Sequence, residues 1–338
     1  MRVLMLSPYP PMRGGISAYA DQAAEALRVE GHEVVVASPE RSDADCVLDI
    51  TKRCAGLRLA VLAWRFDRLI VQFQPEMLGA PGTPRRTWAW SLLRLATGML
   101  SAPRCEVYVH EVIYPEGPFA PLLRAVGRRV WGLADLLIVH TERERRDFAA
   151  TFKISEDRIR VVSQGEHLVR RTDADQATAR TALDLPAAPA LLLAIGFLQP
   201  NKGFDRAILA FGELQPERAR LYVVGSMWRE DPTSVSHVAE LRRLANDTPG
   251  VELREGYLGD EDFDRWIVAA DALVLPYRRG WSSNVMERGL LYHRPVIMTR
   301  VGGMAEQGAD RANVALVDDE HELRDTLRRV LDDLQATR

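Results

Sequence analysis

Short apolar runs alternate with helical segments along the chain, and this alternation restricts the fold more than any other feature. The runs are residues 3–6, 33–37, 68–73, 106–109, 136–140, 158–162, 191–195, 220–224, 251–253, 272–275 and 295–299. Helical periodicity occurs between and after them, including residues 17–27, 121–133, 204–214 and 321–331. Nearly continuous apolar strands separated by helices predict α/β structure, with parallel sheets covered on both faces.

The strand–helix pattern is interrupted once, by a polar stretch around residues 163–180. A length of 338 residues also favours two domains. We therefore predict one doubly wound, Rossmann-like domain over residues 1–165 and a second over residues 180–325. Residues 326–338 would end the closing helix, which could pack back on the first domain. Ligands of such sheets bind at the carboxyl ends of the strands, so a cleft between two facing domains is the expected site.

Charge and cysteine content exclude several classes of protein. The net charge of −3 gives no overall attraction to nucleic acid. Three cysteines are too few and too scattered for a disulfide framework or a zinc site, which favours a reduced, cytoplasmic protein. The N-terminal apolar run is short and is followed by prolines, so it indicates a first strand and not a signal peptide. The sequence contains no run of about 18 apolar residues, so we expect no membrane span.

Two turns lie where phosphate groups commonly bind. Gly14 and Gly15 separate the first run from its helix and could let a ligand approach the helix N-terminus, although a tight connection also needs glycine. Lys202 precedes helix 204–214, after the strand that ends at Gly196. It would contact a phosphate as a point charge, or be a solvated loop side chain. Neither turn has the three-glycine spacing of dinucleotide-binding proteins, which disfavours a dehydrogenase.

The first domain has further polar candidates at the ends of its strands. His110 follows the run 106–109, where it could bind a sugar hydroxyl or be a satisfied structural histidine. Gln72, Gln74 and Glu76 lie at the end of the run 68–73 and beyond it, and are candidates for an acceptor pocket.

The segment RRGWSSNVMERGLLYHRPV supplies candidates in the second domain. Ser282, Ser283 and Asn284 can cap the following helix and bind an anion at its N-terminus. Glu287 lies one turn further, either as a site carboxylate or as an ordinary exposed one.

Two other segments have functional and structural interpretations. The Asp-Ala-Asp triplets at residues 43–45 and 173–175 could hold a divalent metal, but such triplets are common in acidic loops, and we predict no metal site. The sequence RRTWAWSLLRLATGML, residues 85–100, could lie on a membrane surface. We favour the alternative, a helix that packs its apolar side on the first sheet.

The ordered set of segments resembles the retaining glycosyltransferases of family 4, which have the GT-B fold. No single motif decides the resemblance, but the set runs nearly end to end. The segments are SPYPPMRGGISAYADQAAEAL, VYVHEVIYPEG, ADLLIVHT, RIRVVSQGEH, GFLQPNKGFDRAILAF, LYVVGSMW, VELREGYLGDEDFDRWIVAADALVLPY, HRPVIMTRVGGMAEQ and NVALVDDEHELRDTLRRVL.

The resemblance implies a nucleotide-sugar donor held mainly by the second domain and an acceptor that faces the first. Carried over by position, Gly15 would lie by the donor phosphate and sugar, and Lys202, Ser283 and Asn284 would contact the phosphates. His110 would contact the transferred sugar and Glu287 the ribose. The base would be bordered by Gly256, Tyr257 and Leu258.

The chain departs from the family pattern around the donor. Phe197 stands where the family usually has an arginine. The family has two glutamates separated by seven residues. Counted back from Pro295, the second falls at Arg288, one place after Glu287. The first falls near Gly280, where there is no carboxylate. The chain is also short for the family, so its closing helix could be truncated.

Arg278 and Arg279 stand near the missing carboxylate, which normally contacts the donor sugar. Guanidinium groups suit carboxylates, so one hypothesis is a donor that carries a uronic acid. The alternative, which we favour, is that these arginines bind phosphate or face solvent.

These observations predict a retaining, metal-independent glycosyltransferase of the hexosyltransferase type, without a cofactor. Its donor would be a nucleoside diphosphate sugar, with UDP-sugar favoured, and its acceptor a small molecule, natural product or glycan. We expect no nucleic-acid partner and at most a peripheral contact with a membrane. The alternatives are a non-catalytic nucleotide-sugar-binding subunit and a GT-B sugar-nucleotide epimerase.

Overall fold

The computed structural model describes residues 1–80, 83–214 and 217–336. The chain divides into two compact units, Met1–His167 and Leu168–Arg338, which we call the N-domain and the C-domain. Each contains one parallel sheet with helices between its strands. The predicted α/β fold with two doubly wound sheets is confirmed.

The N-domain has a seven-stranded sheet in the order β3-β2-β1-β4-β5-β6-β7. Its strands are β1 (Arg2–Leu6), β2 (Glu33–Ser38), β3 (Cys46–Val47), β4 (Arg68–Phe73), β5 (Cys105–Val109), β6 (Leu136–Val139) and β7 (Ile159–Val161). Its helices are α1 (Gly15–Val29), α2 (Ala55–Ala63), α3 (Arg85–Ser101), α4 (Ala120–Trp131) and α5 (Glu142–Phe152).

The C-domain has a six-stranded sheet in the order β10-β9-β8-β11-β12-β13. Its strands are β8 (Ala190–Ile195), β9 (Ala219–Gly225), β10 (Val251–Glu255), β11 (Ala272–Leu275), β12 (Val296–Thr299) and β13 (Val314–Val317). Its helices are α6 (Gln176–Ala182), α7 (Phe204–Leu214), α8 (Pro232–Asp247), α9 (Asp260–Ala269), α10 (Asn284–Leu291), α11 (Met304–Ala309) and α12 (Glu320–Ala336).

The central strands are buried on both faces, as their apolar sequences require. Every residue of β8 and β11 is buried, and so is every residue of β5. Glu106 is the charged member of β5, and it pairs with Arg68 and Arg104. An unpaired carboxylate in this position would be costly, so the two guanidinium groups explain how the strand accommodates it.

Local signals fix several helix starts. Thr141 and Glu144 form a reciprocal capping box at the start of α5. Asp175 caps α6 by accepting a hydrogen bond from Thr178 N at 2.8 Å, and Asp45 accepts one from Val36 N at 2.7 Å. Residues of both Asp-Ala-Asp triplets thus have structural roles. Within the described ranges, no group of three or more potential ligands could hold a metal ion.

The closing helix α12 belongs to the core of the C-domain. Leu323, Leu327 and Leu331 are buried in that core, and the helix packs on α7. Residues 326–336, part of the segment that was predicted to pack on the first domain, are the last turns of this helix. Residues 337 and 338 of that prediction lie outside the described residues.

Helix α3, which contains residues 85–100, packs against α2 and α4. Trp88, Leu92, Leu95 and Met99 of α3 are buried. A Cβ atom at Gly98 would lie 2.3 Å from Leu59 Cγ, so a glycine is required for the two helices to approach this closely. None of the described helices combines the length and the hydrophobicity needed to cross a lipid bilayer.

Candidate functional site

The carboxyl edge of the C-domain sheet contains a topological switch point. Strands β8 and β11 are neighbours, but the chain runs from β8 to β9 and β10 before it returns to β11. Loops that follow β8 and β11 therefore leave the sheet toward opposite sides, and this opens the crevice in which doubly wound sheets bind ligands. The predicted donor residues lie on loops at this edge.

Glycines let these loops touch through their backbones. Gly203 and Gly302 have left-handed conformations, with φ of 64° and 54°. A Cβ atom added at Gly225 would lie 1.7 Å from Gly196 O. One added at Gly203 would lie 2.2 Å from Pro276 O, and one added at Gly302 would lie 2.0 Å from Gly280 O. Any side chain at Gly203, Gly225 or Gly302 would push two loops apart. These three glycines therefore fix the relative positions of the loops that form the site.

Lys202 lies on one of these loops and has no carboxylate partner among the described residues. It ends the 3₁₀ turn Pro200–Lys202, and its Nζ lies 3.9 Å from the centre of the buried Tyr277 ring. A cation over an aromatic face is held in place but keeps its charge. Lys202 can therefore still contact an anion, as its predicted role requires.

The two candidate arginines have different surroundings. Arg278 donates to both carboxylate oxygens of Asp205, at 2.7 and 2.5 Å, and to Pro200 O at 3.1 Å. Arg279 is exposed, and its guanidinium forms no hydrogen bond or ion pair within the described part of the chain. The structure therefore assigns Arg278 to the support of the Lys202 turn, whereas Arg279 retains an uncompensated charge.

The N-terminus of α10 completes the same edge. Ser283 is the N-cap, and its Oγ accepts a hydrogen bond from Met286 N at 3.2 Å. Ser283 N donates to Gln307 Oε1 at 2.8 Å, so this N–H group is already engaged. The N–H groups at the start of a helix lack carbonyl partners within it, which makes Asn284 and Val285 the available donors. Ser282 precedes the cap and is partly exposed.

Glu287 is buried in the first turn of α10 and is held by α11. Gln307 Nε2 donates to Glu287 Oε1 at 3.0 Å and also to Ser283 O at 3.2 Å. Arg311 lies 3.7 Å from the same carboxylate oxygen. Gln307 thus fixes both the cap and the carboxylate, although nothing in the sequence distinguished it from a surface residue.

Arg288, the position expected for the second family glutamate, lies on another side of α10. It is buried and pairs with Asp264 at 3.0 Å and Asp260 at 2.9 Å, both on α9. The turn between α10 and β12 passes through His293 in a left-handed conformation, with φ of 56°. If Glu287 is the second carboxylate, the first position of the family pair, separated from it by seven residues, falls at Arg279.

The predicted base-binding residues follow the edge strand β10. Gly256 N donates to Gly225 O at 2.8 Å, which connects this loop to the one after β9. Tyr257 is half exposed, whereas Leu258 packs against the domain core. The C-domain candidates therefore share one edge of one sheet.

The N-domain holds the other predicted residues. A Cβ atom at Gly14 or Gly15 would have no atom within 4 Å, so packing within the described structure does not explain these glycines. Gly14 is the N-cap of α1 and Gly15 is its first residue. The Tyr19 ring of this helix lies 4.9 Å from the ring of His110. Gly14, Gly15 and His110 are thus near one another in the N-domain.

His110 is nearly enclosed, and both of its ring nitrogens have partners. Its Nε2 lies 2.7 Å from Gln72 Oε1, and its Nδ1 lies 3.1 Å from His140 Nε2. His140 Nδ1 is 3.1 Å from Val162 O. A sugar contact would therefore require the His110 ring to exchange one of these partners. Sequence reasoning missed His140, which it placed only at the end of a strand.

Protons in this chain of hydrogen bonds have two arrangements. Val162 O only accepts, so His140 Nδ1 must donate. If Gln72 Oε1 also accepts, one of the two histidines must donate from both nitrogens as an imidazolium. If both histidines are neutral, His140 Nε2 accepts from His110 Nδ1, and the Gln72 amide turns so that its NH₂ group donates. Burial lowers the pKa of His110 well below its ordinary value and that of His140 to about 4, which favours the neutral arrangement.

Models of known families match both domains of the chain. The family model for Glycosyltransferase Family 4 matches residues 13–168, and that for Glycosyl transferases group 1 matches residues 189–333. The two matches cover most of both domains. The chain belongs to the family 4 glycosyltransferases.

Curated relatives of this family 4 member match over part of their length. D-inositol 3-phosphate glycosyltransferase 2 of Catenulispora acidiphila is 30% identical over 204 residues, covering 58% of this chain and 48% of that protein. The D-inositol 3-phosphate glycosyltransferase of Mycolicibacterium smegmatis is 28% identical over 254 residues, covering 73% and 56%. The chain spans about half the length of these relatives.

Solved structures of similar fold include Anabaena HepE in complex with UDP. It superimposes with a TM-score of 0.76 at 16% identity, over 99% of this chain and 91% of that one. HepE has also been solved with UDP-glucose, and that structure gives a TM-score of 0.75. At this level of identity the likeness shows the fold alone, which confirms that this family 4 glycosyltransferase has the GT-B fold.

Proposed function

We propose that the protein is a retaining glycosyltransferase that uses a nucleoside diphosphate sugar, with UDP-sugar favoured. One observation carries the proposal: Lys202, Arg279 and the open N-terminus of α10 share one edge of the C-domain sheet, and the Lys202 and Arg279 loops are joined directly. Asn201 O accepts hydrogen bonds from Arg278 N at 2.8 Å and Arg279 N at 3.4 Å. Two cations and free N–H groups suit a diphosphate. The UDP and UDP-glucose bound to HepE support this class of donor.

The chemistry follows from the charge that develops on the diphosphate as it leaves. The bond between the anomeric carbon and the diphosphate oxygen breaks, and Lys202 and the α10 N–H groups stabilise the negative charge. The acceptor hydroxyl attacks from the face that the diphosphate leaves, and the departing phosphate takes the hydroxyl proton. The anomeric configuration is retained, and neither a protein nucleophile nor a metal is required.

The acceptor proposal is coarser. Two curated relatives are named for D-inositol 3-phosphate, a small phosphorylated polyol. We propose a small-molecule or glycan acceptor for this chain, with Gln72 as an N-domain candidate for its recognition. His110 remains a predicted sugar contact.

A donor panel with product analysis tests the function. Purified protein is incubated with UDP-, GDP- and ADP-sugars and a panel of polyol, phosphopolyol and glycan acceptors. We expect a UDP-sugar to be consumed only with an acceptor, and the product to keep the anomeric configuration of the donor. Activity should persist in a chelator.

The Lys202→Ala variant tests the assigned site. Removing a charged donor from the leaving group should lower turnover by about 10²–10³-fold while the fold persists. Lys52→Ala serves as the control, because Lys52 is exposed and pairs only with Asp49. Wild-type turnover in Lys202→Ala would reject the site.

The same assay distinguishes the two alternatives. A non-catalytic subunit would bind UDP in calorimetry but turn over no donor without a partner protein. An epimerase would change the sugar without any acceptor.

A further inference from the structure

Helices α2 and α3 together expose an apolar surface in the N-domain. We define the α2–α3 face as Leu57, Val61, Trp64, Trp90, Leu93 and Leu100. Leu57, Trp64, Trp90 and Leu100 have exposed fractions of 73%, 77%, 61% and 70%. Large side chains are rarely left this exposed in a group, so such a surface indicates a binding partner.

The spacing of these residues places them in two adjacent stripes. On α2 they occur at i, i+4 and i+7, and on α3 at i, i+3 and i+10, with Thr97 at i+7. Thr97 Oγ1 donates to Gly56 O at 2.6 Å, and Gly56 adjoins Leu57. The two stripes therefore meet and form one surface, whereas the opposite side of α3 is buried in the domain.

The charge around this surface is of one sign. Residues 50–66 and 83–105 contain no aspartate or glutamate. Arg53 and Arg65 are exposed, and among the described residues their side chains form no ion pair. Within the part of the chain that the structure describes, Arg58 and Arg94 donate only to carbonyl oxygens, those of Val47 and Thr51, so no carboxylate there compensates their charges. This local excess contrasts with the net charge of −3 of the whole chain.

We propose that the α2–α3 face binds the surface of a membrane that contains anionic lipids. Tryptophans beside arginines suit the interface between headgroups and acyl chains, where the ring is buried and the guanidinium meets phosphate. A second copy of the chain is a poorer fit, since it would bring arginines against arginines. The proposal does not depend on the catalytic function.

Vesicle binding provides the test. The full protein is sedimented with vesicles of phosphatidylcholine, with and without phosphatidylglycerol, at low and at physiological salt. We expect binding only to the anionic vesicles, and weaker binding at the higher salt concentration. Brominated lipids should quench tryptophan fluorescence of the wild type, and quenching should be lost in the Trp64→Ser/Trp90→Ser variant.

Matched charge reversals separate the α2–α3 face from general electrostatics. Arg53→Glu/Arg65→Glu should weaken binding by roughly 25-fold or more, because each basic residue near an anionic surface contributes about fivefold. Arg41→Glu/Arg218→Glu reverses two exposed arginines elsewhere and should bind nearly as the wild type does. Circular dichroism of each variant establishes that it is folded.

Three results would overturn the proposal. One is no binding to anionic vesicles at low salt. A second is binding that the face variants and the control variants lose equally. A third is concentration-dependent self-association in sedimentation velocity that the tryptophan substitutions abolish, since this would assign the face to a second copy of the chain.

Discussion

At the scale of single residues, the two neighbouring arginines have separate tasks. Arg278 pairs with Asp205 and stabilises the Lys202 turn. The guanidinium of Arg279, at the same edge of the sheet, has no charged partner among the described residues. Although partial burial opposes it, the hydrogen bond from Arg278 holds the pKa of Asp205 below its ordinary value. Substitutions at these two positions should therefore have different signatures.

The Arg279→Ala variant distinguishes a contact with the diphosphate, whose loss should lower kcat/KM for every donor, from a contact with the donor sugar. If Arg279 contacts an acidic sugar, its loss should lower kcat/KM for a UDP-uronic acid by about tenfold or more and leave a neutral UDP-sugar nearly unaffected. Arg278→Ala, the matched control, should lower kcat/KM for both donors because it loosens the Lys202 turn. A wild-type preference for neutral donors would exclude the uronic acid hypothesis.

The histidines of the N-domain permit a spectroscopic prediction. With both rings neutral, His110 and His140 should each carry the proton on Nδ1, which long-range ¹H–¹⁵N correlation spectra report directly. The Gln72→Glu variant places an obligate acceptor beside His110 Nε2 and should move that proton to Nε2 or produce an imidazolium. Exposed His321, whose Nδ1 lies 3.2 Å from Asp325, provides the comparison for a ring outside the buried pair. A wild-type His110 protonated on Nε2 at neutral pH would contradict the arrangement.

At the scale of elements, α10 is held from two sides. Gln307 of α11 holds the cap and Glu287, and Asp264 of α9 holds Arg288 and Tyr292. Asp264 also accepts from Arg171 N at 3.1 Å, in the segment that enters the C-domain. The orientation of the candidate site therefore depends on residues that lie outside it.

The Asp264→Ala variant should destabilise the C-domain strongly. It leaves the buried Arg288 without this partner, which typically costs about 3–5 kcal/mol of unfolding free energy. Asp260→Ala removes the more exposed partner and should cost about 1 kcal/mol or less. Urea denaturation of both variants checks the order, and equal losses would show that burial is not the deciding factor.

The sequence predicted the elements well and the site only in part. Strands such as Arg68–Phe73 and helix Phe204–Leu214 were placed to the residue, because apolar runs and periodicity are local signals. The strand predicted to end at His140 ends at Val139, and the His140 N–H donates to Glu144 Oε2 of the capping box at 2.7 Å. The roles of Gln307, Asp205 and Asp264 could not be predicted, because each depends on a contact with a distant segment.

At the scale of the whole molecule, the two domains should respond differently to acid. The N-domain contains the buried pair His110 and His140, faced by Tyr19, Gln72, His167 and the Val162 carbonyl. The pKa of His140 is lowered to about 4 by burial, against about 6.5 for a free histidine. The unfolded chain therefore binds a proton in this range that the folded domain does not bind.

The histidine contribution to N-domain stability should consequently be constant above about pH 6.5 and be lost as the pH drops toward 4, with about 3 kcal/mol from His140 alone. Hydrogen–deuterium exchange of β5 and β6 amides, measured at several pH values, reports this opening energy. The His140→Gln variant should show a shallower pH dependence, whereas His321→Gln should follow the wild type. A pH profile unchanged in His140→Gln would exclude the histidine as the cause.

The contacts of Gly203, Gly225 and Gly302 also restrict how this protein can evolve. Each brings a loop within van der Waals distance of its neighbour's carbonyl, so any larger residue there would displace two loops together. Insertions in these loops would have the same effect. A lineage that acquires a new donor sugar must therefore do so by exchanging side chains on an unchanged backbone, and Arg279 is a position where such an exchange disturbs no existing contact.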